Sequence, residues 1–124
     1  MKIGKETLRF ILQISKETYP DEFAALLRER DGIVCELVFL PSHYGERSVF
    51  MHLHMMPVDF SVVGTVHSHP TPNPEPSEQD LAFFASTGKY HIITYYPFSE
   101  RDWVCYNRYG EKIEAEVVDD PEEI

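Results

Sequence analysis

The sequence predicts an α/β fold, a mixed β-sheet lying between or beside two helices. Three patterns lead to this. Residues 5–19 carry apolar side chains at helical spacing. Residues 22–40 form two apolar runs joined by Asp31-Gly32, a dipeptide suited to a two-residue hairpin. Beyond residue 61, an apolar run, a proline-rich turn, a second helix and a buried strand follow one another.

In the first helix Leu8, Ile11 and Leu12 set the stripe, and Phe10 and Ile14 widen it. Tyr19-Pro20 ends it, because the residue before proline is pushed out of the helical region. Residues 22–29 then read as a strand. Ala-Ala-Leu-Leu alone favours helix, but the Asp31-Gly32 turn decides against it. The partner strand, Ile33 to Leu40, is apolar on both faces except at Glu36 and is expected to be buried. Residues 41–60 are the least regular stretch. After them, Leu81, Phe84 and Ala85 give the second helix a core face, and Gly88 ends it. Residues 90–96 form a buried strand, and 102–107 and 112–118 form two more around Tyr109-Gly110. In the last, Ile113, Ala115 and Val117 alternate with Lys112, Glu114 and Glu116, so one face is wet.

The 124 residues suit a single domain, 1–124, with 119–124 as a frayed acidic tail. Such a length can bury a core without covalent staples. Lys and Arg number 11 against 21 Asp and Glu, a net charge of −10, which argues against binding nucleic acid. No stretch is long and apolar enough to span a membrane, and no secretory leader is evident, so a cytoplasmic location is expected. Cys35 and Cys105 are far apart and read as small buried hydrophobes, with a disulfide left open.

The chemistry concentrates in Val66-His67-Ser68-His69-Pro70. Residues two apart on a strand share a face, so both imidazoles can reach one point. Prolines at 70, 72, 74 and 76 stop the strand and stiffen the return path. Ser77-Glu78-Gln79-Asp80 then opens a helix with Ser77 as N-cap. The turn lets a carboxylate of the helix's first turn approach the two imidazoles. Two neutral imidazoles, one carboxylate and a position open to water make the ligand pattern of a hydrolytic zinc site. Each piece also has an ordinary reading: Ser77-x-x-Asp80 is a plain capping signature, and His-x-His pairs are common polar positions. A second pair, His52 and His54, has no Ser-x-x-Asp behind it and reads as polar strand residues, while His43 and His91 stand alone.

Taken together, His67-Ser68-His69-Pro70, seven residues from 70 to 76, and Ser77-x-x-Asp80 resemble the JAMM motif of the MPN-domain metalloproteases. The resemblance runs to about residue 118. It implies the MPN, cytidine-deaminase-like fold and one Zn²⁺ per chain, held by His67, His69 and Asp80. It also implies that Ser77 donates a hydrogen bond near the reacting carbonyl. A hydrolytic zinc site needs a base to move the proton of its water. In the family this is a Glu soon after the first helix, and Glu22 fits, with Ala25 where many relatives have Gly. Asp21 has a shorter arm, and Glu29 lies at the hairpin end.

The family hydrolyses isopeptide bonds between ubiquitin-like modifiers and lysine. A short single-domain member is similar to the prokaryotic and archaeal branch, whose substrates would be ubiquitin-like or sulfur-carrier proteins. Val49, Phe50 and Met51, within 47–56, are the candidates for holding the modifier's extended tail by strand addition, with Met51, Met55 and Met56 as adaptable contacts. The oligomeric state is open, a homodimer included. Two rivals stand beside this reading. A zinc deaminase would need His-x-Glu and Pro-Cys-x-x-Cys, which are absent. A catalytically silent MPN scaffold would be expected to lack motif residues that are present here.

Overall fold

A computed structural model describes residues 1–39 and 62–122. The elements run β1 (Lys2–Gly4), α1 (Lys5–Thr18), β2 (Ala24–Arg30), β3 (Ile33–Phe39), β4 (Val62–His69), α2 (Glu78–Ser86), β5 (Tyr90–Tyr95), β6 (Trp103–Tyr106) and β7 (Glu116–Val118). The strands form one sheet in the order β6-β5-β4-β2-β3-β1-β7. It is mixed: β4 runs parallel to β5, and β1 parallel to β3 and β7, while β2–β3, β2–β4 and β5–β6 are antiparallel.

The hairpin between β2 and β3 forms as expected, because Asp31 and Gly32 both take the positive φ (55° and 76°) that a type I′ turn requires. Successive residues of β5 show where the helices lie. Ile92 packs in the cluster that holds Leu8, Ile11 and Leu12 of α1, and the Thr94 hydroxyl meets Ser15 of α1 at 2.8 Å. Ile93 packs instead with Phe84 of α2. Neighbouring strand residues point to opposite faces, so the sheet lies between the two helices. On β4, β5's parallel neighbour, His67 pairs with Ile93 and its ring lies 6.3 Å from that of Phe84, on the α2 face.

Several expectations are corrected. The α1 stripe is Thr7, Leu8, Ile11, Leu12 and Ser15. Phe10 is half exposed, its ring edge-on to Phe39 at 6.0 Å, and Ile14 is only partly buried. The strand expected over 22–29 begins at Ala24, because the Phe23 N–H goes to a side chain, Ser68 Oγ. In β3 only Val34 is fully buried. β1 covers that strand only at Ile33 and Val34, and Phe39 stands half exposed. Leu81 and Ala85 face outward, since α2 turns Asp80 and Phe84 inward, four residues apart on one face. The strand expected over 112–118 shrinks to Glu116–Val118. Ile113 and Ala115 still pack on the core, but Val117 is exposed and Val118 is the inner residue. Cys105 is buried and Cys35 partly so, and both are free thiols.

The tail is not frayed over 119–122. Asp120 caps the start of α1: its Oδ1 accepts the Glu6 N–H at 2.8 Å and its Oδ2 the Thr7 hydroxyl at 2.6 Å. Gly4 leaves the room, for a Cβ there would collide with that carboxylate. Helix starts expose unpaired N–H groups and favour a negative charge, which explains why an acidic residue docks there. Asp120→Ala should therefore lower stability by about 1 kcal/mol, the usual worth of an N-cap. Urea denaturation checks this, and an unchanged midpoint would show that the contact contributes nothing.

Candidate metal centre

β4 lies third of seven in the sheet, paired on both sides, so its backbone cannot shift without breaking two ladders. His67 and His69 leave the same face of it. Pro70 to Pro76 bring the chain back, and Ser77 starts α2 with a full capping box. Asp80 N–H donates to Ser77 Oγ at 3.0 Å, and Ser77 N–H donates to Asp80 Oδ2 at 2.9 Å. The ordinary capping reading of Ser77 and Asp80 is thus correct, and the ligand geometry is built on top of it.

The three side chains converge. His67 Nε2 lies 3.1 Å from Asp80 Oδ1, His69 Nε2 lies 3.2 Å from Asp80 Oδ2, and the two Nε2 atoms are 3.1 Å apart. Asp80 and His67 are buried, His69 nearly so. His69 Nδ1–H donates to the Asn73 carbonyl at 2.9 Å, so the neutral ring aims its Nε2 lone pair into the cluster and the protonated ring donates its Nε2–H to Asp80. The Asn73 side chain accepts the Glu75 N–H, and the Tyr106 hydroxyl donates to the Pro74 carbonyl at 2.6 Å, so the loop that orients His69 is itself held.

These donors fit zinc. A tetrahedral ion with bonds of about 2.0–2.1 Å has ligand–ligand edges of about 3.3 Å, close to the separations found here. Two imidazole nitrogens and a carboxylate are the nitrogen and oxygen donors zinc prefers. Among the described residues no other group of three or more His, Cys, Asp or Glu side chains converges in this way. Burial alone would raise the Asp80 carboxyl. Hydrogen bonds from His67 and His69, and the Ser77 N–H, outweigh it and hold the group well below the usual carboxylate range. It therefore stays charged, as a ligand must. Burial lowers the His69 imidazole, but its bonds to Asp80 and the Asn73 carbonyl more than reverse this, and the nearby Glu22 charge adds to the rise.

Glu22 is exposed and sits just ahead of β2, and its charge acts on the His69 imidazole. Asp21, its competitor, is also exposed; Glu29 lies near the far end of β2, beside the turn. Ser77 stands at the head of α2 with its oxygen accepting from Asp80, so its own O–H remains to donate. Val49, Phe50 and Met51, the other Met candidates, and His43, His52 and His54 lie outside the described residues. His91 is structural: fully buried, it stacks on Phe84 at 4.4 Å, donates from Nε2 to the Gly88 carbonyl and accepts the Thr65 hydroxyl at Nδ1. One residue was missed from the sequence. Ser68, between the two histidines, is buried and bonds both main-chain groups of Phe23.

A central His-x-His strand facing a first-turn aspartate, in a mixed sheet between two helices, defines a zinc hydrolase of the metalloprotease class. The chain belongs to the family of prokaryotic homologs of the JAB domain, whose pattern matches residues 4–107. It is 35% identical to a Haloferax volcanii protein named "Probable metalloprotease", over 97% of this chain and 83% of that one. It is 46% identical to a JAB1/MPN domain protein from Archaeoglobus fulgidus. The TM-score there is 0.80, with 96% of this chain and all of the other covered. A second structure, described as a metalloprotease-like JAMM zinc site in the proteasome and signalosome, is 45% identical with a TM-score of 0.78, covering 96% of this chain and 98% of that one.

Two outcomes follow. His67→Ala and Asp80→Ala should each lose the single zinc, read as metal per chain after gel filtration. Wild-type metal content in either would refute the assignment. The second concerns pH. Burial pushes the His91 pKa down to about 4 from 6.5. Between those values the unfolded chain takes a proton that the folded one refuses, so stability falls as pH drops through this window, by on the order of 3 kcal/mol. In zinc-free protein, His91→Gln should flatten the loss of stability between about pH 7 and about pH 4.5. An equal loss in both proteins would contradict it.

Proposed function

We propose that the protein is a JAMM-type isopeptidase that releases ubiquitin-like modifier or sulfur-carrier proteins from lysine conjugates in the cytoplasm. The observation that carries the reading is the buried convergence of His67, His69 and Asp80, with Glu22 an exposed carboxylate just ahead of β2 whose charge acts on His69. His67, His69 and Asp80 would hold the zinc, which when bound polarises a carbonyl and makes water more acidic.

The chain's own residues have separate tasks. Glu22 takes a proton from the attacking water and passes it to the leaving lysine nitrogen. Its exposure suits it to this, because the carboxylate is not locked into the ligand cluster. Ser77 donates its free O–H to the oxygen that becomes negative as the carbonyl is attacked. The helix start beneath it favours negative charge in the same place. The acidic chain, with a net charge of −10, disfavours nucleic acid and suits a protein partner with basic surface. The Val49-Phe50-Met51 run remains the proposed holder of the modifier tail. The silent-scaffold alternative is weakened because the three ligand side chains converge.

Glu22→Gln should keep the zinc and the fold yet lose ~10²–10⁴ in rate on a modifier–lysine conjugate. Ser77→Ala should lose on the order of 10²–10³ in kcat, beyond a cap loss of about 1 kcal/mol in stability. Mass spectrometry of the released modifier terminus reads the cleavage. A Glu22→Gln protein of wild-type rate would place the base elsewhere, and a Ser77→Ala protein that only melts earlier would reduce Ser77 to a cap.

A further inference from the structure

We propose that Ser68 is a positioning residue for Glu22: its hydroxyl fixes the point from which the Glu22 side chain leaves the backbone. This deepens the proposed function, since it rests on Glu22 serving as the base.

Ser68 lies between the two zinc-ligand positions on β4, but its side chain points away from them, as alternation requires. It is 1% exposed. Its Oγ accepts the Phe23 N–H at 2.8 Å, and its own N–H donates to the Phe23 carbonyl at 2.9 Å. The second bond merely extends the β2–β4 ladder one step beyond the Ala24–His67 pair. The first is different. The Phe23 N–H belongs to the peptide plane that also contains the Glu22 carbonyl. Anchoring that N–H fixes the plane, and with it the Glu22 Cα, which lies in that plane.

The consequence is one of reach. Glu22 stands outside the strand and is exposed, so its side chain is free to sample several directions. Without the anchored plane, small rotations at this position would swing the carboxylate by ångströms. Misplacement of about 1 Å at a reacting group can cost about 100-fold in rate. The same strand that presents His67 and His69 therefore also fixes where Glu22 starts, so ligands and base keep one frame of reference. Phe23 keeps its place independently, buried in the main core cluster and close to the Phe39 ring. Loss of the hydroxyl should therefore loosen the Glu22 peptide plane more than it loosens the fold.

The test uses cobalt(II) in place of zinc and reads nuclear relaxation of the Glu22 side-chain carboxyl carbon, which falls steeply with distance from the paramagnetic ion. Wild type should show strong relaxation at Glu22. Ser68→Ala should bind one cobalt with unchanged affinity and fold, yet its Glu22 carboxyl relaxation should drop several-fold. Ser68→Thr, which restores a hydroxyl, should recover it. If the variant melts earlier while Glu22 relaxation stays at the wild-type value, Ser68 is only structural and the proposal is overturned, with Glu22's role intact. Weak relaxation at Glu22 in wild type would instead remove Glu22 from the metal and overturn both.

Discussion

The site depends on one carboxylate being in two places at once. Asp80 closes the capping box of α2 by accepting the Ser77 N–H at Oδ2, and its two oxygens also meet the two imidazoles of β4. Remove that carboxylate and the helix loses half its cap while the metal loses its anion. The prolines from 70 to 76 make this affordable in entropy, because a loop with φ already fixed loses less freedom when it closes. The helix terminus then stabilises the charge that the metal needs, so cap, dipole and ligand reinforce one another.

Around this centre each support is itself supported. His69 is oriented by the Asn73 carbonyl, and the next carbonyl, Pro74, is held by the buried Tyr106 of the edge strand β6. His67 faces the Phe84 ring, and Phe84 stacks on His91, which is pinned at both nitrogens. Gly64 and Gly88 permit the tight approach beneath. A Cβ at Gly64 would run into the Tyr90 carbonyl, and Gly88 takes a φ of 124° against the Val63 carbonyl. Neutral, buried polar groups thus line the metal site without adding competing charge.

The sequence made the ligand set legible because the constraint there is local. Spacing of two on a strand, a proline spacer and a capping signature are short patterns with direct geometric meaning. The hairpin at Asp31-Gly32 was legible for the same reason. What could not be read came from contacts between distant residues. Asp120 caps a helix 114 residues away, and β1, three residues long, exists only because β3 and β7 flank it. Leu81 and Ala85 looked like core by composition, but the inward turn of Asp80 decides which face of α2 is buried. Ser68 carried no periodic signal at all, for a serine between two histidines looks like filler until its partner, Phe23, is seen beside it.

The central claim is that one zinc sits where His67 Nε2, His69 Nε2 and Asp80 converge. Anomalous diffraction at the zinc edge from crystals of the zinc-loaded protein tests it most directly. The account predicts one strong peak about 2.0–2.2 Å from an oxygen of Asp80 and from both Nε2 atoms, with a place left for solvent. A strong peak elsewhere, or a zinc-loaded crystal with none at this cluster, would contradict it.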